Sequence, residues 1–329
     1  MDLTRGRFVH PVTKAHLYPN ARGDLCEDVY LHRIVFPNLN GSYDFVLDKN
    51  SDGERAHYDE VYKRGPERSY TLSVEALKGM WDAEPELHAL LASLGHMKGR
   101  AVLVLGNGFS LKELYFLILG AHCVISDLSF SAIERSKELF ESSELSGTYC
   151  REIQYHAVDA LNLPFGDQSF DIIYGYAFVH HLGDIKRFFS EVARCLRPGG
   201  ICRFLDDGYS PIWQLAKRTV LRPLQAYLHR RTGISPQDLA ATRKGGYTRD
   251  EARRIMEKHG FDHMVFVRKC FFEYLLRRAR AKLQMGECLL KVMPLLRVLD
   301  ELLERRTAFM ETQGLRLIWG FNKPGKGSL

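Results

Sequence analysis

A short apolar run followed by a glycine turn constrains the fold of this chain more than any other stretch. Residues 102–105 read Val-Leu-Val-Leu, which is typical of a short buried strand in a parallel sheet. Gly106-Asn107-Gly108 breaks that strand, and Ser110 is a good N-cap for a helix predicted over residues 111–119. This order indicates a nucleotide-type site at the carboxyl end of the strand. Many α/β proteins have such a turn for packing reasons, so the motif alone leaves that alternative open.

The length of 329 residues allows one large domain or two small ones, and the composition excludes several classes. No window holds 18 uncharged apolar residues, so we expect no transmembrane helix. The first five residues, Met-Asp-Leu-Thr-Arg, have no apolar signal core. The seven cysteines are scattered, without a Cys-x-x-Cys pair, which favours reduced thiols in a cytoplasmic protein and predicts no metal site.

The charge is distributed unevenly along the chain. Residues 208–329 contain 24 Lys and Arg against 11 Asp and Glu, a net charge of +13, whereas the rest of the chain carries −7. A basic C-terminal third can meet phosphates or an anionic membrane surface. A solvated surface without such a partner is the alternative.

Residues 1–55 precede the predicted sheet and form an N-terminal extension. Two β-rich runs, 29–36 and 42–47, flank Asn40-Gly41, a dipeptide that favours a hairpin turn. Helices are predicted over residues 57–65 and 72–94. The remaining residues, 56–329, are interpreted as one catalytic domain.

Strands and helices alternate through the middle of the chain. Strands are predicted at 101–105, 123–127, 153–159, 170–175 and 201–206, with helices at 129–140 and 183–196. This alternation predicts an α/β fold with a doubly wound parallel sheet. Further along, Ser210-Pro211 and Thr248 with Glu251 mark helix starts, β-like runs occupy 261–272 and 314–321, and leucine-rich helices lie between them.

The spacing of residues after the glycine turn distinguishes between two kinds of nucleotide cofactor. A dinucleotide fingerprint needs a third glycine where Leu111 stands, so the fit to a pyrophosphate is poor. Asp127, 21 residues after Gly106, ends the second strand, where a carboxylate can accept both hydroxyls of a ribose. Capping of the next helix is its alternative role. Asp159, at the end of the third strand, can accept from the amino group of an adenine.

The ordered set of motifs resembles the class I S-adenosylmethionine-dependent methyltransferases. The resemblance is closer to their small-molecule branch, which contains the ubiquinone/menaquinone-type enzymes. It covers residues 100–206, and more loosely 56–65 and 246–322. Besides the glycine turn and the two aspartates, it rests on three short runs: Leu163-Pro164-Phe165, His180-His181-Leu182 and Leu196-Arg197-Pro198-Gly199-Gly200.

The resemblance implies a Rossmann-like sheet of seven strands whose last strand is antiparallel, and S-adenosylmethionine as the cofactor. It also implies a role for each matched residue. The residues expected to contact the methionine part are Gly106, Asn107, Gly108 and, through its backbone, Gly175. Those expected at the ribose and adenine are Asp127, Leu128, Asp159 and Ala160. Tyr58, with Tyr62, resembles an aromatic helix that closes over the cofactor.

Two positions depart from the family pattern. The family usually has an acid where Val104 stands and a third glycine where Ser110 stands. These departures favour, as an alternative, a cofactor-binding but catalytically inactive regulatory subunit. An NAD-dependent oxidoreductase is a third hypothesis, which the spacing of the glycines disfavours.

Methyl transfer to a hydroxyl or an acidic carbon needs a base. His180 and His181 follow the fourth strand, where the site opens, and histidine suits proton removal near neutral pH. Neighbours in sequence point in different directions, so we expect at most one of them to be catalytic. His156, in the third strand, is predicted to be structural.

The substrate side is predicted from the ends of the fourth and fifth strands. Tyr176 and Phe178 are candidates for the wall of an apolar pocket, and Asp206 for a substrate contact. A nucleic-acid amino methyltransferase would have Asn/Asp-Pro-Pro-aromatic at the end of the fourth strand, and the chain has no Pro-Pro. We therefore expect a small-molecule acceptor and no nucleic acid.

Two segments outside the common core, 207–247 and 274–310, are basic and amphipathic. A lid over the substrate is one interpretation, and simple packing helices are another. The third is peripheral docking on an anionic membrane to reach a lipid- or glycan-like acceptor, with Lys217, Arg218 and Arg222 among the basic contacts.

Overall fold

A mostly parallel sheet of eight strands organises the part of the chain that the computed structural model describes. The described residues are 8–27, 34–47, 52–63, 72–216, 218–219, 247–258, 264–283, 291–306 and 308–325. The strands are β1 Tyr18–Pro19, β2 Leu25–Cys26, β3 Ile34–Phe36, β4 Tyr43–Asp44, β5 Ala101–Leu105, β6 His122–Asp127, β7 Ile153–Ala157, β8 Phe170–Tyr176, β9 Leu196–Asp207, β10 Met264–Lys269 and β11 Arg316–Phe321.

The strand order of the large sheet is β10-β11-β9-β8-β5-β6-β7-β4. β11 is antiparallel to both β9 and β10, and every other neighbouring pair is parallel. The predicted doubly wound, Rossmann-like sheet with an antiparallel last strand is therefore confirmed. The eighth strand, β4, comes from the N-terminal extension and adds to the edge of the seven that were predicted.

Helices cover both faces of this sheet. They are α1 Asp52–Lys63, α2 Val74–Asp82, α3 Pro85–Leu94, α4 Tyr115–Ile118, α5 Phe130–Glu141, α6 Leu145–Tyr149, α7 Ile185–Cys195, α8 Pro211–Ala216, α9 Arg249–Lys258, α10 Phe272–Leu283, α11 Met293–Arg306 and α12 Phe309–Gln313. The strands between them are apolar on both sides: all five residues of β5 are buried, as a covered parallel sheet requires. Among these described helices, none combines the length and the apolar character needed to cross a bilayer.

The helix predicted after the glycine turn is shorter than expected. A 3₁₀ turn at Lys112–Leu114 precedes the four-residue α4, so the prediction of one helix over 111–119 is wrong. Ser110 does not cap it: Leu111 stands at the N-cap without a side-chain hydrogen bond, and the Ser110 hydroxyl accepts from the Lys112 ammonium at 3.0 Å. The helix predicted over 72–94 is likewise two helices, because Pro85 starts a new one after the extended Glu84.

Only the turn of the predicted N-terminal hairpin is present, and the prediction of two paired strands around it is wrong. Asn40 and Gly41 do adopt positive φ angles of 54° and 79° in a tight turn closed by Leu39 and Ser42. The flanking strands do not pair with each other, however: β3 pairs with β2, and β4 adds in parallel to β7. The predicted boundary at residue 55 falls inside α1.

Five rings join the extension to the edge of the sheet, and we call them the aromatic box: Phe8, Tyr43, Phe45, His156 and Phe165. The Phe8 ring lies 5.2–5.9 Å from the centroids of the other four. The backbone amide of Tyr43 donates to Nδ1 of His156 at 3.1 Å. Burial lowers the pKa of His156 to about 3, so its ring is neutral at physiological pH.

The C-terminal helices pack on α2 and α3 through buried ion pairs. The Arg277 guanidinium bonds both carboxylate oxygens of Glu86 and pairs with Glu84 at 2.6 Å. Arg277, which belongs to the basic segment 274–310, therefore faces the protein and not an external partner. Arg218 is exposed, whereas Lys217 and Arg222 lie outside the described residues. The capping box of Thr248 and Glu251 is confirmed.

Candidate active site

A cavity of about 740 Å³ opens where β5, β6 and β8 end, and we call it the active cavity. Its volume lies within the range of about 300–1,000 Å³ that is usual for small-molecule sites. Its lining combines the glycine turn, residues that follow β6, β7 and β8, and two tyrosines of α1. The lining residues are Tyr58, Tyr62, Leu105, Gly106, Asn107, Gly108, Phe109, Ser110, Lys112, Asp127, Leu128, Val158, Asp159, Ala160, Leu161, Tyr176, Ala177, Phe178, His181, Leu182 and Gly183.

The glycine turn requires both of its glycines. Gly106 and Gly108 have φ angles of 62° and 54°, which L side chains rarely adopt. A Cβ on Gly106 would lie 2.4 Å from Cγ of Phe178, and one on Gly108 would lie 2.5 Å from Oη of Tyr62. The two glycines thus let aromatic side chains rest directly on the turn, at the floor of the active cavity.

Asp127 ends β6 and fixes the turn beside it. Its Oδ2 accepts the backbone amide of Gly108 at 2.7 Å, and its Oδ1 accepts that of Ser129 at 2.9 Å. Burial raises the pKa of the Asp127 carboxyl, while these amide bonds oppose that shift. The cap of the following helix is Ser129, whose Oγ accepts from Ala132. Asp127 is therefore not the helix cap, and it remains at the cavity wall with lone pairs to spare.

Two further acceptors belong to the same wall. The carboxylate of Asp159, two residues past β7, accepts the Leu161 amide at 2.8 Å and the Asn162 side chain at 2.6 Å. The Oδ1 atom of Asn107 is buried and has no hydrogen-bond partner among the described residues. A buried acceptor of this kind needs a donor to offset its desolvation. Leu128 and Ala160 lie beside these groups, as predicted.

The end of β8 has a strained backbone. Ala177 has a φ angle of 55°, uncommon for a residue with a side chain, and its amide bonds the Leu205 carbonyl at 2.7 Å. This conformation lays the Phe178 ring over Gly175, where a Cβ would lie 2.2 Å from Cε1. Gly175 is consequently covered and does not line the active cavity. The contact between its backbone and the methionine part, which the resemblance implies, therefore has no open path. Tyr176 and Phe178 do line the cavity.

The two predicted histidines occupy different positions. His181 lines the cavity, with both ring nitrogens 3.5 Å from Oη of Tyr58. His180 lies behind it, 4.1 Å away between ring centroids, and its Nδ1 is 2.7 Å from Oδ1 of Asp206. Asp206 is fully buried and also accepts from the Trp319 indole at 3.3 Å. Neither His180 nor Asp206 lines the cavity, so Asp206 has no open face for the substrate contact predicted from sequence.

Burial lowers the pKa of His181 to about 4, and the neighbouring His180 acts in the same direction. His181 is therefore neutral at physiological pH, in the form that accepts a proton.

Helix α1 closes one side of the cavity. Tyr58 and Tyr62 stack with centroids 6.2 Å apart, and both face the cavity. Asp59 of the same helix accepts the Ser131 amide at the start of α5, at 3.2 Å. Burial, together with Asp127, raises the pKa of the Tyr62 hydroxyl, so it acts as a neutral donor. These contacts bring both tyrosines to the wall of the active cavity, beside the glycine turn.

Lys112 is the one charged lining residue that the sequence patterns do not predict. Its Nζ lies 3.0 Å from Oγ of Ser110, 2.7 Å from Oε1 of Glu113 and 4.0 Å from the Tyr176 ring centroid. Its only signal in the sequence is its place four residues after the glycine turn, within what reads as the first turn of a helix.

Comparison with known proteins matches this core to a family. The family described as "Methyltransferase domain" matches residues 103–204, which run from β5 into β9 and include the glycine turn, Asp127, Asp159 and both histidines. The demethylmenaquinone methyltransferase of Mycobacterium sp. (strain KMS) is 29% identical over 182 residues, 54% of this chain and 71% of that protein. Residues 103–204 form a methyltransferase domain of class I, the S-adenosylmethionine-dependent type. It is a methyltransferase of the small-molecule type.

One solved structure with a TM-score of 0.50 has a similar fold. The geranyl diphosphate C-methyltransferase of Streptomyces coelicolor A3(2) has a TM-score of 0.50 and 12% identity, over 84% of this chain and 98% of that one. A phosphoethanolamine N-methyltransferase 2 of Haemonchus contortus has a TM-score of 0.47 and 16% identity, over 72% of this chain. The methyltransferase chain described here spans about half, 52%, of the length of that protein.

The active cavity fits the cofactor of this methyltransferase family, S-adenosylmethionine. Its polar wall offers carboxylates to hydroxyl and amino groups, and the orphaned Asn107 Oδ1 offers one acceptor more. Its volume is sufficient for a small-molecule ligand.

Proposed function

We propose that this methyltransferase binds its cofactor with the ribose at Asp127 and the adenine beside Asp159 and Ala160. The glycine turn, Gly106 to Gly108, would then lie along the methionine part. The support is geometric: Asp127 and Asp159 end or follow adjacent strands, and both line one cavity with the turn. A carboxylate that already accepts one backbone amide on each oxygen still has lone pairs for two ribose hydroxyls.

The chain's own contribution to the reaction is positioning and proton removal. When bound, the cofactor supplies a methyl group on a sulfonium centre, an electrophile that a well-aligned nucleophile can attack. We propose that Tyr58 and Phe178 confine the acceptor so that it is held in line. His181 would accept the proton of the acceptor, and His180, held by Asp206, would fix the His181 ring through their contact. His180 and Asp206 are then positioning residues.

We propose a hydroxyl-bearing, apolar acceptor, closer to a lipid than to a glycan. The observation that carries this proposal is that the one described cavity joining the glycine turn to His181 has a largely apolar wall. The apolar and aromatic wall residues are Tyr58, Tyr62, Phe109, Leu161, Tyr176, Phe178 and Leu182. The name of the mycobacterial relative gives demethylmenaquinone as its acceptor, which supports this direction. No comparison favours the inactive alternative.

A matched acceptor series tests the apolar acceptor. The purified chain would be supplied with S-adenosylmethionine and para-alkylphenols of equal acidity, from a methyl to a long alkyl chain, and release of S-adenosylhomocysteine would be measured. Because each buried methylene contributes about 0.8 kcal/mol, kcat/KM should rise at least about tenfold along the series. A prenylated naphthoquinol should also be turned over. Turnover of a sugar acceptor with none of the phenols would contradict the proposal.

We propose in addition a peripheral contact with anionic membrane, through which a lipid-like acceptor would be reached. Three apolar residues of α11 are exposed to solvent: Leu295 by 68%, Val298 by 52% and Leu302 by 46%. This helix belongs to the basic C-terminal third of the chain. Binding to anionic liposomes should be seen at low salt and weaken strongly by about 0.5 M salt. Neutral liposomes should bind far less. A chain that ignores anionic liposomes at low salt would contradict the contact.

A further inference from the structure

The charges that line the active cavity are separated by sign. Among the described residues, its charged lining consists of Lys112, Asp127 and Asp159. Asp127 ends β6 and Asp159 follows β7, so both carboxylates lie on one side of β5. Lys112 contacts Tyr176 at the end of β8, which lies on the other side of β5. The cavity is therefore acidic beside β6 and β7 and basic beside β8.

Lys112 is held in place although its ammonium is buried. The residue is 8% exposed, and Oε1 of Glu113, which is also within 3.1 Å of the Tyr174 hydroxyl, offsets its charge. An ammonium has three donors. Among the described residues, two oxygen acceptors lie near Nζ, on Ser110 and Glu113. One donor is left for a ligand in the cavity that Lys112 lines.

The same side of the cavity offers no acid to a cationic group. Val104, one residue before the end of β5, is fully buried and apolar. Lys112 and the Ser110 hydroxyl are instead the polar side chains at this end of the turn. A ligand group that fits an ammonium and a hydroxyl is a carboxylate.

We propose that Lys112 binds the carboxylate of the amino-acid part of S-adenosylmethionine, with the Ser110 hydroxyl beside it. This inference rests on the proposed placement of the cofactor along the glycine turn. It gives Ser110 and Lys112, which follow the glycine turn, one common role. The cofactor is then held at its carboxylate on the β8 side and at its ribose on the β6 side.

Two ligands that differ in the amino-acid part test the inference by calorimetric titration. S-adenosylhomocysteine has the carboxylate, whereas 5′-methylthioadenosine lacks the whole amino-acid part. A charge-assisted bond to the carboxylate predicts that Lys112→Met weakens S-adenosylhomocysteine at least about tenfold. The affinity for 5′-methylthioadenosine should stay within about twofold of wild type, which also shows that the variant is folded. Lys112→Arg should recover most of the lost affinity, and Lys78→Met, a lysine paired with Asp82 at the surface, should change neither ligand.

Three results would overturn the inference. Unchanged S-adenosylhomocysteine affinity in Lys112→Met would mean that the lysine contacts the acceptor or stabilises the fold instead of binding the cofactor. Equal weakening of both ligands would mean that the substitution damages the turn as a whole. If the wild-type chain binds neither ligand, the proposed placement of the cofactor fails, and the role of Lys112 fails with it.

Discussion

The active cavity and the aromatic box lie on neighbouring strands and use histidine in opposite ways. Burial lowers the pKa in both places, to about 3 for His156 and about 4 for His181. His156 is 1% exposed, and its two ring nitrogens contact the Tyr43 amide and the Gln154 side chain. His181 opens on a cavity that also holds the glycine turn and Asp127. A lowered pKa therefore does not distinguish a catalytic histidine from a structural one, whereas access to a cavity does.

Substitutions in the two regions should change different quantities. Contacts in the aromatic box stabilise the fold, so substitutions there should change the free energy of unfolding and leave the chemistry of the folded fraction intact. Side chains of the active cavity face a ligand, so substitutions there should change binding or turnover with little loss of stability. Each of the following predictions separates these two outcomes.

The largest effect is expected at His181. His181→Gln removes the proposed base and should lower kcat about 10²- to 10⁴-fold, because that is the usual contribution of general-base catalysis. Initial rates at saturating acceptor would measure it. His88→Gln, an exposed histidine of α3, is the matched control and should leave kcat unchanged. Full activity in a folded His181→Gln enzyme would contradict the role of base.

The next effect concerns Phe45 of the aromatic box, which is 1% exposed and lies 4.9 Å from the Phe36 ring and 5.8 Å from the His156 ring. Phe45→Ala should lower the free energy of unfolding by about 3–5 kcal/mol, because it leaves a cavity in a packed core. Denaturant titration would measure the loss. Leu47→Ala, two residues on and half-exposed, should cost far less. A lowered kcat in the folded fraction of Phe45→Ala would break the separation between the two regions.

Acid should destabilise the fold through His156 of the aromatic box. The folded pKa of His156 is lowered below that of an unfolded histidine, so the folded state binds fewer protons and stability falls as pH drops from about 6.5 towards 3. Between about pH 8 and about pH 5 this loss amounts to about 2 kcal/mol. His156→Asn keeps an acceptor for the Tyr43 amide and should reduce that slope, whereas the part that comes from His181, whose folded pKa is lowered to about 4, should remain. A wild-type slope in the variant would show that another group titrates.

The smallest effect is expected at Asp127. Asp127→Asn keeps the shape of the side chain but removes its charge, so S-adenosylhomocysteine should bind about tenfold more weakly. Titration calorimetry would measure it, with Asp167→Asn, an exposed aspartate, as the control. An unchanged affinity would limit Asp127 to holding the amides of Gly108 and Ser129.

Most of the wall at which we propose the cofactor could be predicted, because its signals are local. The glycine turn, Asp127 with Leu128, and Asp159 with Ala160 each follow a recognisable apolar strand, and parallel strands end at the same edge of a sheet. These residues line the active cavity as the spacing predicts. The capping box of Thr248 and Glu251 and the alternation of strands with helices follow from equally short patterns.

The features that sequence did not predict depend on distant contacts or on strained backbone. Phe178 covers Gly175 because Ala177 adopts a positive φ angle, for which alanine gives no local signal. Lys112 reaches the cavity from a 3₁₀ turn where the pattern predicts an α-helix. The pairing of β4 with β7 joins residues more than 100 positions apart, beyond the range of any turn signal.

The central claim is that the cofactor lies on the glycine turn, and titration of S-adenosylhomocysteine into two alanine variants tests it most directly. Gly106 and Gly199 have similar φ angles, 62° and 76°, but a Cβ would lie 2.4 Å from Phe178 in the first and within 4 Å of nothing in the second. Alanine therefore imposes a similar backbone strain at both, and only Gly106→Ala pushes the Phe178 ring into the active cavity. We predict that Gly199→Ala binds like the wild type and that Gly106→Ala shows no heat of binding. Wild-type affinity in a folded Gly106→Ala variant would contradict the account.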